Sequence, residues 1–314
     1  MVWDDRIGRR LKFKDLQMLL AVVEAGGIGK AADRLNYSQP AVSKAIAGLE
    51  HAFGKRLLER GRKGIELTSY GDALVKCGSA VFDELRRGLA SIEYLADPTA
   101  GKVRVGCTDP VSTGLVTSVI DRLARQHPRI EFQVDVTGPS VLHEDLLGRK
   151  LDFVIAQAGI APMDRELLQL EKLYTDRLVI VSGARHPAVT KRRIRIADLA
   201  DEHWILPPGE SFAGSLLAET FKAAGLKPPK VAATTTSAYG RIFLAAKGHF
   251  LTLIPVVMLD VQLKRMSLKV LPIKLRGNRR SIGVVTLKNR VLSPVAQLFI
   301  AQARSLAKAM AQDS

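Results

Sequence analysis

A chain of 314 residues with a net charge of +16 and an isoelectric point near 10.0 is too long for one core of roughly 100 to 200 residues, and basic enough to favour a polyanionic partner. Its 47% hydrophobic content is ample for burial, while two isolated cysteines, Cys77 and Cys107, argue against a disulfide framework or a zinc site. The acidic start MVWDDRIGRR and Pro255 inside the longest apolar run, Phe250 to Leu259, argue against export and membrane insertion; the expectation is a cytoplasmic protein with no membrane partner, no metal and no cofactor.

In chain order, Leu16, Leu19, Leu20 and Val23 recur with helical spacing from about Phe13, and Gly26-Gly27 supplies a stop, since glycine enters the left-handed region without strain. Ile28, Ala31, Ala32 and Leu35 predict a short second helix, and Asn36-Tyr37 a turn. Ser38 then caps a third helix, with Pro40 tolerated in its first turn. Val42, Ala45, Ile46 and Leu49 form its apolar stripe, leaving Gln39, Ser43 and Lys44 on or near the opposite face. Those side chains are of the kinds that reach base edges and phosphates in a major groove. Arg60-Gly61-Arg62-Lys63-Gly64, followed by Ile65, Leu67 and Thr68, predicts a two-stranded wing with cations at its tip. The string Gly27-Ile28-Gly29-Lys30-Ala31-Ala32 imitates a nucleotide loop, but it follows a helical segment and has alanine after the lysine, so its glycines are turn residues.

Residues 11 to 70, with the string KAADRLNYSQPAVSKAIAGLEHAFGKRLLERGRKGIELTSYG, resemble the winged helix-turn-helix of LysR-type transcriptional regulators. The resemblance implies that Ser38, Gln39, Pro40, Ser43 and Lys44 face DNA, with Gln39 a reader of adenine and Lys44 of guanine or phosphate, and that Arg62 and Lys63 contact the backbone. It extends over essentially the whole chain. The expected organisation is a DNA-binding domain at 11–69, a linker helix at 70–97, a hinge at 98–101, one effector lobe at 102–174 and 275–310, and a second lobe at 175–274.

Within the linker, Leu74, Val81, Leu85, Leu89, Ile92 and Leu95 recur at threes, fours and sevens and need a surface to bury against; the resemblance implies an antiparallel pairing with a second subunit. Beyond the hinge the pattern alternates. Strands are expected at 102–107, 130–136, 152–156, 177–182, 204–206, 230–234, 250–254 and 281–287, with helices near 115–125, 140–147, 213–223, 238–247 and 294–310. That order predicts an α/β fold with a mostly parallel sheet. Two such lobes joined by two crossovers resemble a type 2 periplasmic-binding-protein fold.

Folds of this kind bind ligands where strands end and helices begin, because unpaired N–H groups there accept anions. The candidate effector contacts are Thr108, Asp109, Ser112, Thr113, Thr137, Gly138 and Ser140 in the first lobe and Gly209, Ser211, Phe212, Thr235 and Ser237 in the second. Pro110 and Pro139 stand near positions where family members often carry serine or threonine. The resemblance implies double-stranded promoter DNA, an anionic small-molecule effector, a second copy of the chain and RNA polymerase as partners. The alternative is an α/β enzyme or solute-binding module with an accessory DNA-binding head. Against catalysis, there is no GxSxG or HExxH motif, and the six histidines are scattered.

Net charge does not locate the DNA-binding part: residues 1–68 hold 13 Lys and Arg against 8 Asp and Glu, leaving +11 for the rest. The basic runs Lys191-Arg192-Arg193-Arg195 and Arg276-Arg279-Arg280 are expected to be solvated loops.

Overall fold

The computed structural model describes residues 11–61, 64–159, 164–191, 193–209, 211–259 and 266–312. The chain divides into two compact units, meeting at Leu89 and Ala90.

The first unit begins with α1 (Phe13–Ala25), which ends where Gly26 adopts φ 69° and the Gly26 and Gly27 amides donate to the Val23 and Val22 carbonyls. Helix α2 (Ile28–Leu35) ends at Asn36, also left-handed, and α3 (Gln39–Phe53) starts at Ser38, whose Oγ accepts from the Ala41 amide at 3.3 Å. Leu19, Val22, Ala31, Ala32, Val42, Ala45, Ile46 and Leu49 interlock as one core, so the small alanines permit the close crossing of α2.

Strands β1 (Leu58–Gly61) and β2 (Gly64–Leu67) pair antiparallel, with Gly61 opposite Gly64. Arg62 and Lys63, the expected phosphate contacts, lie outside the described residues. The entry to the wing is held by α3 itself, since Glu50 Oε1 accepts from the Leu57 amide at 2.8 Å and the Leu58 amide at 3.3 Å. Thr68 fastens the exit: its hydroxyl donates to the Arg56 carbonyl and accepts from the Gly71 amide.

Helix α4 (Ser69–Ala96) then runs 28 residues without interruption. Gly78 allows a close approach to α1, because a Cβ there would stand 2.9 Å from Leu16 Cδ1 and that side chain would have to shift. The expected linker stripe is divided in use: Leu74 packs into the core of the first unit, a correction to its placement at a dimer face, whereas Leu85, Leu89, Ile92 and Leu95 are exposed. Leu74 has this different fate because the start of α4 is already occupied by α1, the wing and Leu57.

In the second unit, β3 (Ala100–Cys107) begins two residues earlier than expected, with Ala100 and Gly101 pairing with Arg129 and Ile130 rather than forming a hinge. Gly101 holds φ 147°, in a region that side chains rarely adopt, and Val295 fills the space a Cβ would need. After β3 come a helical turn (Asp109–Val111), a π-helical turn (Ser112–Val116) and α5 (Thr117–Gln126). The chain continues through β4 (Arg129–Val136), α6 (Pro139–Leu147), β5 (Phe153–Gln157) and β6 (Leu168–Gly183). The second lobe contains β7 (His203–Leu206), α7 (Phe212–Ala223), β8 (Lys230–Thr234), α8 (Ala238–Ala246), β9 (Thr252–Pro255) and β10 (Leu268–Val270). Strand β11 (Arg279–Leu287) and α9 (Pro294–Gln312) return to the first lobe.

The sheet is mixed rather than mostly parallel. Strand β3 is parallel to β4 and β5, but β11 pairs antiparallel with both β5 and β6, and β6 pairs antiparallel with β9 and β10. The cause is the two strands that pass between lobes, for which no crossover helix restores the parallel sense. Strand β6 changes lobe in mid-course: Arg177 pairs with Arg279 of β11, and the next residue, Leu178, pairs with Pro255 of β9. Each lobe keeps its own core, with Phe153, Phe299 and Leu115 central to the first and Trp204, Phe221 and Leu217 to the second.

Candidate functional site

Two sites are built by these elements, one in each unit. On α3 the four apolar positions are turned inward, while Gln39, Pro40 and Lys44 are exposed and Ser43 is half-buried on the outer side. Exposed Ala47 and Gly48 continue that side, so the bulkier side chains gather in the first two turns. Ser38 is exposed as well, with its Oγ engaged in the cap. The result is a convex ridge led by an amide, a hydroxyl and an ammonium group, shaped for a groove rather than for a small ligand.

The second site lies where the two lobes of the second unit approach. Thr108 and Asp109 follow β3, and Thr137 is held beside them by its amide donating to the Cys107 carbonyl at 3.2 Å. The helix that they open contains the π-helical turn Ser112–Val116, a local widening of a kind that often accompanies binding sites. From the other lobe, α8 points its N-terminus at Asp109, whose Oδ2 accepts from the Ala238 amide at 2.6 Å. Ser237 caps α8 by accepting from the Gly240 amide, and Thr235 Oγ1 accepts from the Ser237 amide.

Several expected ligand contacts are thus spent on local structure. Ser211 caps α7 through the Gly214 amide, Thr113 donates to the Asp109 and Pro110 carbonyls, and Phe212 packs on the core of the second lobe. Gly138 is the N-cap residue of α6, Ser140 is exposed on its first turn, Ser112 is half-buried, and Gly209 gives its carbonyl to the Ser215 hydroxyl. Thr108 differs: its Oγ1 is buried without a partner among the described residues.

The sequence reading missed the arginines. Arg241 on α8 is only 5% exposed; its Nη1 donates to the carbonyls of Thr235 and Thr236, and its Nε has no partner among the described residues. Burial pulls its pKa down to about 10, an effect opposed by the Asp109 carboxylate and reinforced by Arg280. Arg280, read within a solvated basic run, instead lies on β11 with its guanidinium buried and paired at 3.1 Å with Asp176 of β6, while Arg276 and Arg279 are exposed. Two cations and two carboxylates therefore meet where the chain crosses between lobes. Cys107, at the end of β3, has its thiol pushed up to about 12 by burial, then by Asp109 and Asp135, which removes it from thiolate chemistry at neutral pH.

A cavity of about 570 Å³ lies elsewhere, between β6, β11 and α9. Its charged groups already have protein partners: Arg304 is bidentate to Glu171, and Arg290 is bound to Leu151 and Asp152. Among the described residues no three His, Cys, Asp or Glu side chains converge as metal ligands would, and no helix is long and apolar enough to cross a membrane.

Family models match both units: "Bacterial regulatory helix-turn-helix protein, lysR family" over residues 13–72 and "LysR substrate binding domain" over residues 96–308. The HTH-type transcriptional regulator GbpR of Azospirillum brasilense is 29% identical over 299 residues, covering 94% of this chain and 86% of that protein. The crystal structure of full-length CbnR complexed with its target DNA shares 21% identity, covers 94% of this chain and 99% of that one, and superposes with a TM-score of 0.64. The effector-binding domain of QuiR, solved in complex with shikimate, covers 67% of this chain and 98% of its own at 21% identity and a TM-score of 0.56.

Proposed function

The chain belongs to the LysR family of transcriptional regulators, and from that premise we propose how its own residues divide the work of an effector-controlled DNA-binding regulator. Gln39, Ser43 and Lys44 read and grip the major groove of a promoter site, Ser38 and Pro40 set the register of α3, and the wing holds the backbone through Arg62 and Lys63. The observation that carries this reading is the outward side of α3, where Gln39 and Lys44 are exposed beside a half-buried Ser43 while the opposite side is packed into the core. The exposed leucines of α4 join two subunits, so that two such helices address two half-sites. The cleft bounded by Thr108, Asp109, Thr137 and α8 takes a small anionic effector, whose differential affinity for two lobe arrangements changes promoter output. The protein acts in the cytoplasm, with RNA polymerase as its downstream partner and without a metal or cofactor. The relatives are regulators, which favours this reading over an enzyme bearing a DNA-binding head.

Thermal unfolding of the full chain against a metabolite panel that includes shikimate, repeated with operator DNA, tests the coupling. A true effector at a hundred times its dissociation constant adds about 2.7 kcal/mol of stability and also changes operator affinity. A compound that stabilises the chain but leaves operator affinity untouched is no effector, and a panel yielding only such compounds contradicts the proposal.

A further inference from the structure

The inter-lobe bond joins residues 129 positions apart in sequence, and it is made by a carboxylate. Two neighbouring amides at the start of α8 are provided for locally, that of Ser237 by Thr235 and that of Gly240 by Ser237. The Ala238 amide takes its acceptor from the other lobe. A helix N-terminus favours an anion, and Arg241, on the first turn of the same helix, adds a full positive charge with a buried Nε that has no partner among the described residues. Thr108, next to Asp109, adds a buried hydroxyl that likewise has no partner among the described residues. A backbone N–H, a guanidinium and a hydroxyl are the donors of a carboxylate-binding site, and each is tied to Asp109: the amide by its hydrogen bond, Arg241 by the attraction it feels from that carboxylate, and Thr108 by its adjacent position in the chain. Asp109 satisfies the first of them and leaves the other two unmet.

We propose that Asp109 is a tethered occupant of the effector site: in the ligand-free chain its carboxylate holds the place at the N-terminus of α8, beside Arg241, that a small-molecule carboxylate takes on binding. The proposal rests on the reading of this cleft as the effector site and specifies its chemistry. The incoming carboxylate competes with a group already present at high effective concentration, and prevails through the Arg241 Nε–H and Thr108 hydroxyl bonds that Asp109 does not make. Exchange also releases Asp109 from the second lobe. The free and bound chains therefore differ in which group ties the lobes together, which gives a ligand two arrangements to distinguish.

Sodium formate and sodium acetate, compared with sodium chloride at equal ionic strength, test the site directly. In the full-length Asp109→Ala variant, formate is expected to raise the unfolding midpoint beyond the chloride control and to bind at least about tenfold more tightly than to the unaltered chain, because the competitor is gone. Should the alanine variant fail to fold, Asp109→Ser, which retains a small polar group at the helix start, is read in its place. A variant that responds alike to formate and chloride, or that binds formate no better than the unaltered chain, overturns the proposal. Operator binding measured on the same samples separates the two ideas. Formate that rescues the variant's midpoint without moving its operator affinity upholds the tethered occupant and contradicts the regulatory coupling on which the effector reading depends.

Discussion

Asp152→Ala is expected to lower the stability of the regulatory unit by about 3–5 kcal/mol, the range for removing one partner of a buried ion pair. Asp152 is 8% exposed and serves two arginines at once. Its Oδ1 accepts from Arg104 Nη2 at 2.7 Å and Arg290 Nη2 at 3.2 Å, and its Oδ2 accepts from the Arg104 amide at 2.8 Å. Arg290 has a fully buried side chain and reaches across from the loop after β11, donating also to the Leu151 carbonyl at 2.6 Å. The carboxylate thus fixes the start of β5 to β3 and to the returning strand. Alanine removes the carboxylate that Arg104 and Arg290 share in a largely buried region, while Asp152→Asn keeps an acceptor and should lose less. Calorimetry of the full chain checks this. The transition of the regulatory unit should move down while that of the DNA-binding unit stays, and an unchanged profile would show that Asp152 is dispensable.

Leu85→Asp is expected to give a monomer by light scattering and to weaken operator binding by about 10²- to 10⁴-fold, the range for losing the second of two linked half-site contacts. Leu85 is 52% exposed and Leu95 83% exposed in the single chain, and with Leu89 and Ile92 they form a stripe along one helix that the described residues leave uncovered. Apolar surface on that scale is stabilised by a second apolar surface, and a charge placed in it must be desolvated when the two meet. The substitution lies outside the core of the DNA-binding unit, so single-site contacts on random DNA should persist. A native oligomer in the variant would place the subunit contact elsewhere.

What was legible in the sequence follows from how each signal arises. The stripe Val42, Ala45, Ile46, Leu49 and the cap at Ser38 are local and repeat at the helical period, and α3 forms where they point. The wing was visible through glycines on both sides of Arg62-Lys63. Strand β6 was only half seen, because its first half, Leu168 to Asp176, alternates charges with apolar residues on a strand covered on one side, whereas its second half is a continuous apolar run. The site was harder to read still. Ser211, Thr113 and Ser237 have the right chemistry for a ligand, but that chemistry is equally the chemistry of helix caps, and there it is used. Arg241 did leave a trace: Ala238, Arg241, Ile242 and Ala245 share the spacing of a buried face, and a cation on such a face requires a partner. Asp109 was singled out for its place at the end of β3, and the group it meets is an amide of the opposite lobe, a contact between residues too distant in sequence for spacing to reveal.

The outward side of α3 is proposed to read base sequence. Fluorescence anisotropy with a duplex selected from a random pool by the unaltered protein, set against an unselected duplex of equal length, measures it most directly. Gln39→Ala and Ser43→Ala should each lose about 1–3 kcal/mol on the selected duplex and almost nothing on the unselected one. Equal losses on both duplexes, or none on either, would contradict the assignment.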